Sequence, residues 1–167
     1  TYIGDGAGTA MTGLTDIDFG SGIKISSIHA ANTSTCVITT TGGLRCFGKN
    51  GDGQLGQGHT QLISSGTNSR TISSEGDVNL GGASVSQVAM GGNDYATRCA
   101  LNSSGQVKCW GDGSRGFHGY GDSTDIGKTD EPSARAYHDF GEKVVQISGT
   151  SHNDRDHYCV LTKSSRI

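Results

Sequence analysis

The sequence predicts an all-β fold assembled from copies of one hairpin unit, and three observations carry that expectation. The stretch CVITTTGGLRCFGKNGDGQLGQG from Cys36 reappears as CALNSSGQVKCWGDGSRGFHGYG from Cys99; Cys36 and Cys99 are 63 residues apart, as are Cys46 and Cys109. Self-similarity at such a period means that one supersecondary unit is being copied. The chain also holds 28 Gly and one Pro in 167 residues, and its Gly-rich turns separate short runs such as CVITT, LRCF, QVKCW and YCVLT. No long segment shows helical periodicity, and no apolar run approaches the roughly 20 residues of a membrane span. That argues against membrane insertion, and a net charge of −3 gives no electrostatic reason to expect nucleic acid or an anionic membrane as partner.

Each unit reads as four parts in order. A β-branched or apolar run comes first, at residues 23–28, 85–90 and 144–147. In the last, Val144, Gln146 and Ser148 alternate with Val145 and Ile147, the period-2 pattern of a strand. A polar connection of variable length follows: AANTST, GGNDYATR or GTSHNDRDHY. Next is a hairpin, CVITT–TGG–LRCFG or CALN–SSG–QVKCWG, whose Gly42, Gly43 and Gly105 supply the backbone freedom of a tight turn. A Gly-rich exit, GDGQLGQG or GSRGFHGYG, closes the unit and leads into a long irregular segment, residues 59–79 or 123–139. Such a segment reads either as a binding excursion or as a polar connector.

These residues resemble the repeat of the regulator of chromosome condensation family. The resemblance rests on residues 36–44, Phe47, Gly48, Gly53, Gln54, Leu55 and Gly56 in the first copy. In the second it rests on residues 99–101, Gly105, Trp110, Gly111, Gly116 and Gly119, with Phe117 and His118 replacing Gln and Leu. It implies a β-propeller of four-stranded blades, usually seven, of which about three are expected here. Residues 1–22 read as the end of a preceding repeat, 23–84 as a first repeat, 85–143 as a second, and 144–167 as the start of a third. The segment Asp18, Phe19, Gly20 parallels Asp139, Phe140, Gly141. About three blades do not close a ring, so a fragment of a longer chain, or a part completed by other subunits, is expected.

Cys36/Cys46 and Cys99/Cys109 are each ten residues apart across a hairpin whose turn lies midway. That places the partners on adjacent strands within reach of a disulfide if they face one another; buried free thiols are the alternative. Cys159 is odd, its expected partner falling at position 169. Disulfides imply an oxidising compartment, and Asn32 and Asn102 begin N-glycosylation acceptor triplets. The expected location is therefore extracellular or at the cell surface.

Catalytic chemistry is not expected. Asp154 and Asp156, inside SHNDRDH, could hold a divalent cation, although a solvated turn explains them more simply; no other metal site and no cofactor is expected. The Gly-rich stretches lack the Lys-Ser/Thr of a phosphate loop. The expected function is a non-catalytic interaction or structural module of an extracellular assembly, with other protein subunits or remaining blades as partners. One alternative is guanine-nucleotide exchange on a GTPase, which the resemblance implies. The other is glycan binding, for which Tyr95, Tyr120, Tyr137 and Tyr158 are available.

Overall fold

The computed structural model describes residues 16–65, 69–91, 96–152, 155–165 and 167, with the side chains of residues 151–156 excepted. Strands β1 (Ile25–Ala30), β2 (Ser34–Thr39) and β3 (Leu44–Gly48) form one antiparallel sheet, and β4 (Val85–Met90), β5 (Thr97–Asn102) and β6 (Val107–Gly111) form its copy. In the third unit β7 (Val144–His152) pairs with β8 (Arg155–Thr162). The hairpin predicted around each cysteine pair is present, with Cys36 opposite Cys46 and Cys99 opposite Cys109. The polar connection predicted in the third unit is instead largely strand, the β7–β8 ladder running out to His152 and Arg155.

Two local features depart from the sequence reading. The first strand of every unit carries a register shift, at Ile25/Ser27, Val85/Gln87 and Val144/Gln146. A bulge inserts one unpaired residue and breaks the alternation. Val144 and Ile147 therefore both point inward, while Val145 is 49% exposed. In the first two units the bulged residue is Ser26 or Ser86, whose hydroxyl donates to the carbonyl of Ile38 or Leu101.

The second departure concerns the fourth strand. Among the described residues the first two sheets have three strands each, and their outer edge is completed at two separate points. At one end Gly48 exchanges backbone hydrogen bonds with Ile63, as Gly111 does with Ile126. At the other, the amides of Val78 and His138 donate to the carbonyls of Leu44 and Val107. The fourth strand is thus split, and the described residues between its ends include a 3₁₀ turn, Ile72–Ser74 or Pro132–Ala134. The loop bonds within itself, as where the Ser64 amide donates to the Arg70 carbonyl, so it cannot add to the sheet ladder.

The sheets stack face to face, and the core lies between units. One cluster joins Cys36, Ile38, Leu44, Leu55, Val78 and Leu80 of the first unit to Val88, Ala100, Trp110 and Ile126 of the second. Another joins Cys99, Leu101, Val107 and Cys109 to Val144 and Ile147 of the third. Because side chains alternate along a strand, β5 sends Ala100 to one seam and Cys99 and Leu101 to the other. The middle sheet is covered on both faces, and every residue of β5 and β6 is buried.

Candidate functional site

The seams between units gather most of the residues singled out by the sequence. Cys36–Cys46 and Cys99–Cys109 are at disulfide-bonding distance, with Cα atoms 4.1 Å apart in each pair. This is close to the separation of directly opposed residues in the non-hydrogen-bonded register of an antiparallel ladder. Each bridge closes a short loop across an existing hairpin, so it adds stability at the low end of the usual range, about 2 kcal/mol. Cys159 occupies the corresponding place on β8 and is a free, exposed thiol.

Hydrogen bonds repeat across the seams from equivalent positions. Arg98, immediately before Cys99, is fully buried; its guanidinium donates to the carbonyls of Gly91 and Thr97 and to Ser34 Oγ of the preceding unit. Tyr158, immediately before Cys159, donates from its hydroxyl to the Thr97 carbonyl of the unit before it. Gln87 joins the first strands of two units, its Nε2 donating to the Val145 carbonyl and its Oε1 accepting from the Ile147 amide. Trp110 is fully buried and its Nε1 donates to the Gln54 carbonyl, 3.1 Å away, in the exit of the first unit. It is a wedge between blades rather than a residue packed within its own. Phe47, its counterpart, packs edge-on against Phe19 with centroids 5.8 Å apart.

The long segment after the second exit acts as a strap to the preceding unit. The Gly58 amide donates to the Gly127 carbonyl and the Ser133 amide to the Asn79 carbonyl. Asn79 Nδ2 donates to Glu131 Oε2 at 2.7 Å, and the Tyr137 hydroxyl to the Leu80 carbonyl at 2.9 Å. The same strap is tied to its own blade by Lys108, whose Nζ lies 2.6 Å from the Arg135 carbonyl and 4.2 Å from the Tyr137 ring centroid. Burial pushes the Lys108 ammonium below its ordinary range. Arg135 in turn pairs with Asp122 at 2.8 Å. In the corresponding first segment the contacts are internal: Glu75 accepts from Arg70, and His59 Nε2 lies 3.4 Å from Glu75.

At the second exit, His138 stacks on Tyr120 with centroids 4.2 Å apart, and His118 lies 5.4 Å from the same ring. Burial holds His138 below the usual imidazole range, His118 adding repulsion while a backbone hydrogen bond to His118 opposes the shift. His29 is also lowered by burial. For a base whose folded pKa is depressed, the unfolded chain takes up the proton first. The stabilisation is therefore complete above about 6.5, the unfolded value, and is lost as pH falls through the lower folded value. The urea midpoint is expected to be lower at pH 5.5 than at pH 7.5, and His138→Gln should reduce that difference. A midpoint equal at both pH values would contradict this assignment.

The other predicted residues divide. Asn32 is exposed between β1 and β2. Asn102, by contrast, is buried, its Nδ2 donating to Gln106 Oε1 and its Oδ1 accepting from the amides of Ser104 and Gln106. That side chain caps the hairpin turn. Asp154, Tyr95 and the side chain of Asp156 lie outside the described residues. Among the described residues no three His, Cys, Asp or Glu side chains converge on one point. The hydroxyls of Tyr120, Tyr137 and Tyr158 donate to the carbonyls of Ala136, Leu80 and Thr97, which makes them struts rather than a common platform for a sugar. Gly53 and Gly56 in the first exit, together with Leu55, are buried, whereas Gly116 and Gly119 in the second are exposed.

The aromatic-Gly pairs set the shape of this seam. Gly48 and Gly111 have φ of +113° and +111°, and an added Cβ would collide with the carbonyl of Thr33 or Ala96. The sequence around the first of these pairs is similar to a known repeat: the model of the regulator of chromosome condensation (RCC1) repeat matches residues 27–54. The match runs from within β1 through β2 and β3 to the start of the exit, so it takes in the Cys36–Cys46 hairpin and reaches Gln54, whose carbonyl receives Trp110. No curated protein matches the sequence. Solved structures share the fold. Human WBSCR16 superposes with a TM-score of 0.62 at 18% identity, covering 84% of this chain and 32% of that one. Prp20p from Saccharomyces cerevisiae does so at 0.58 and 14%, covering 81% and 31%. Yeast RCC1 (Prp20) in complex with Kap60 gives 0.56 and 15%, covering 79% and 29%. The chain therefore spans about a third of the length of these RCC1-type propellers.

Arg98, Gln87, Lys108 and the strap bonds escaped sequence reasoning. One signal was available: Arg98 and Tyr158 hold the same place before a repeat cysteine.

Proposed function

We propose that this chain is a non-catalytic protein-interaction module, a rigid propeller segment of a secreted or cell-surface protein. The seam carries the reading: Trp110, Arg98 and the strap lock one unit to the next, while each cysteine pair stiffens the hairpin of its own unit. A scaffold of that kind presents fixed surfaces, and propellers of the RCC1 type use such surfaces on proteins. The solved structure of Prp20p is described with its binding to Gsp1p and histones, and that of yeast RCC1 is bound to Kap60. The oxidising location is supported by the two cysteine pairs at bonding distance. Guanine-nucleotide exchange is the competing reading, favoured by the likeness to Prp20p alone.

Two assays on the native protein separate them. A membrane-impermeant amine label applied to intact cells should tag the protein, and the purified protein should leave GDP release from a small GTPase of the same source unchanged. Protection from the label, with GDP release accelerated tenfold or more, would replace this reading by an exchange factor.

A further inference from the structure

The acceptor triplet Asn32–Thr33–Ser34 lies where the first unit meets the second, and its parts differ in access. Asn32 is exposed in the connection between β1 and β2. The hydroxyl that completes the triplet is not. Ser34 is 4% exposed, and its Oγ accepts from the Arg98 guanidinium of the second unit. The main chain of the triplet is committed as well. The Thr33 carbonyl accepts from the Lys49 amide and the Ser34 carbonyl from the Ala31 amide, while Ser34 pairs with Gly48 on β3. A glycan transferase reads the Asn together with the hydroxyl two residues on. In the folded protein the acceptor is thus open while the residue that identifies it is shut away.

We propose that Asn32 carries an N-linked glycan, attached during synthesis and before the second unit docks on the first. This rests on the secretory location proposed for the protein. The donor is an oligosaccharide carried on a lipid pyrophosphate. Asn32 Nδ2 attacks C1 of the sugar and the C1–N bond forms. The bond from C1 to the pyrophosphate oxygen breaks, the lipid pyrophosphate leaves with the electron pair, and the amide gives up one proton. In the folded protein this transfer requires Ser34 to be withdrawn from Arg98. In the growing chain Arg98 is still to be made: it follows Ser34 by 64 residues, about 3–13 s at ordinary rates of synthesis. The first unit does not close by itself in that interval. Its core is shared with Val88, Ala100, Trp110 and Ile126 of the second unit, and a small sheet without a packed face is only marginally stable. Docking of Arg98 then shuts the triplet, and a glycan already on the exposed Asn32 is compatible with the closed seam. Asn102, which begins the other triplet, is itself buried and is not included.

Glycosidase release in heavy-oxygen water, followed by peptide mapping of the native protein, reads the modification: Asn32 should be recovered as isotope-labelled Asp. The order of events is read in vitro, with purified oligosaccharyl transferase and a lipid-pyrophosphate donor. Its substrates are the folded, unglycosylated chain and a peptide of residues 29–37. The folded chain should be modified at least about tenfold more slowly than the peptide, the penalty of opening one charge-assisted hydrogen bond. Arg98→Gln, accepted only if its circular dichroism is unchanged, should move the folded rate towards that of the peptide; the comparison of folded chain with peptide stands without it. Bare Asn32 on protein that the cell-surface label reaches would overturn this proposal and leave the secretory reading standing. Bare Asn32 on protein that the label does not reach would remove both. Equal rates for the folded chain and the peptide would overturn the proposed order of modification and docking.

Discussion

Trp110→Ala should destabilise the protein by about 3–5 kcal/mol, the cost typical of truncating a fully buried large aromatic. The ring has no exposed surface and lies between two units, so its removal opens a hole in the core shared by both. It also leaves the Gln54 carbonyl without the indole N–H that it accepts. Collapse around the hole is limited, since the sheets on either side are tied to each other by Arg98 and the strap. In a chain of this size roughly 2–4 °C of melting temperature accompanies each kcal/mol, so the midpoint should fall by about 10 °C. Trp110→Phe, which keeps most of the volume and loses the hydrogen bond, should cost much less. A loss below about 1 kcal/mol for the alanine variant in urea denaturation would show that Trp110 does not hold the seam.

Gly111→Ala is expected to be nearly as damaging although it adds one methyl group. At φ of +111° an L-residue is strained by about 1–3 kcal/mol. The new Cβ would also meet the backbone carbonyl of Ala96 and the Cα of Thr97, and neither is the movable end of a flexible side chain. Overpacking of that kind costs a further ~1–3 kcal/mol. The residue cannot retreat, because its amide and carbonyl are both bonded to Ile126 at the split fourth strand. Gly22→Ala is a suitable comparison: it too has positive φ, at +75°, but nothing stands within 4 Å of its would-be Cβ. Urea midpoints should therefore fall much further for Gly111→Ala than for Gly22→Ala. Equal losses would mean that backbone strain alone, and not the close approach at the seam, accounts for the glycine.

Much of this architecture could be read from the residues because the repeat makes the same statement twice. The hairpins were legible since a turn Gly sits midway between cysteines at equal spacing, and register across a short hairpin follows from its turn. The cysteine pairing followed from the same geometry. The bulges were not legible: Val144–Val145–Gln146–Ile147 alternates well enough in sequence, and the shift comes from pairing with β8. Nor was the split fourth strand, whose two ends at Ile63 and Val78 are each anchored by one residue. Arg98 and Lys108 look like surface charges and are buried, because a sheet covered on both faces must satisfy polar groups internally. Asn102 reads as a glycan acceptor, and its bonds to the two amides that follow it were not legible, although an Asn side chain commonly makes them.

Peptide mapping of the native protein, after blocking free thiols and without reduction, tests the stapled hairpins, and the oxidising location built on them, most directly. Peptides linked Cys36–Cys46 and Cys99–Cys109 should dominate, each falling apart only when reductant is added. Recovery of these four cysteines as blocked free thiols would contradict the staples, and with them the oxidising location proposed for the protein.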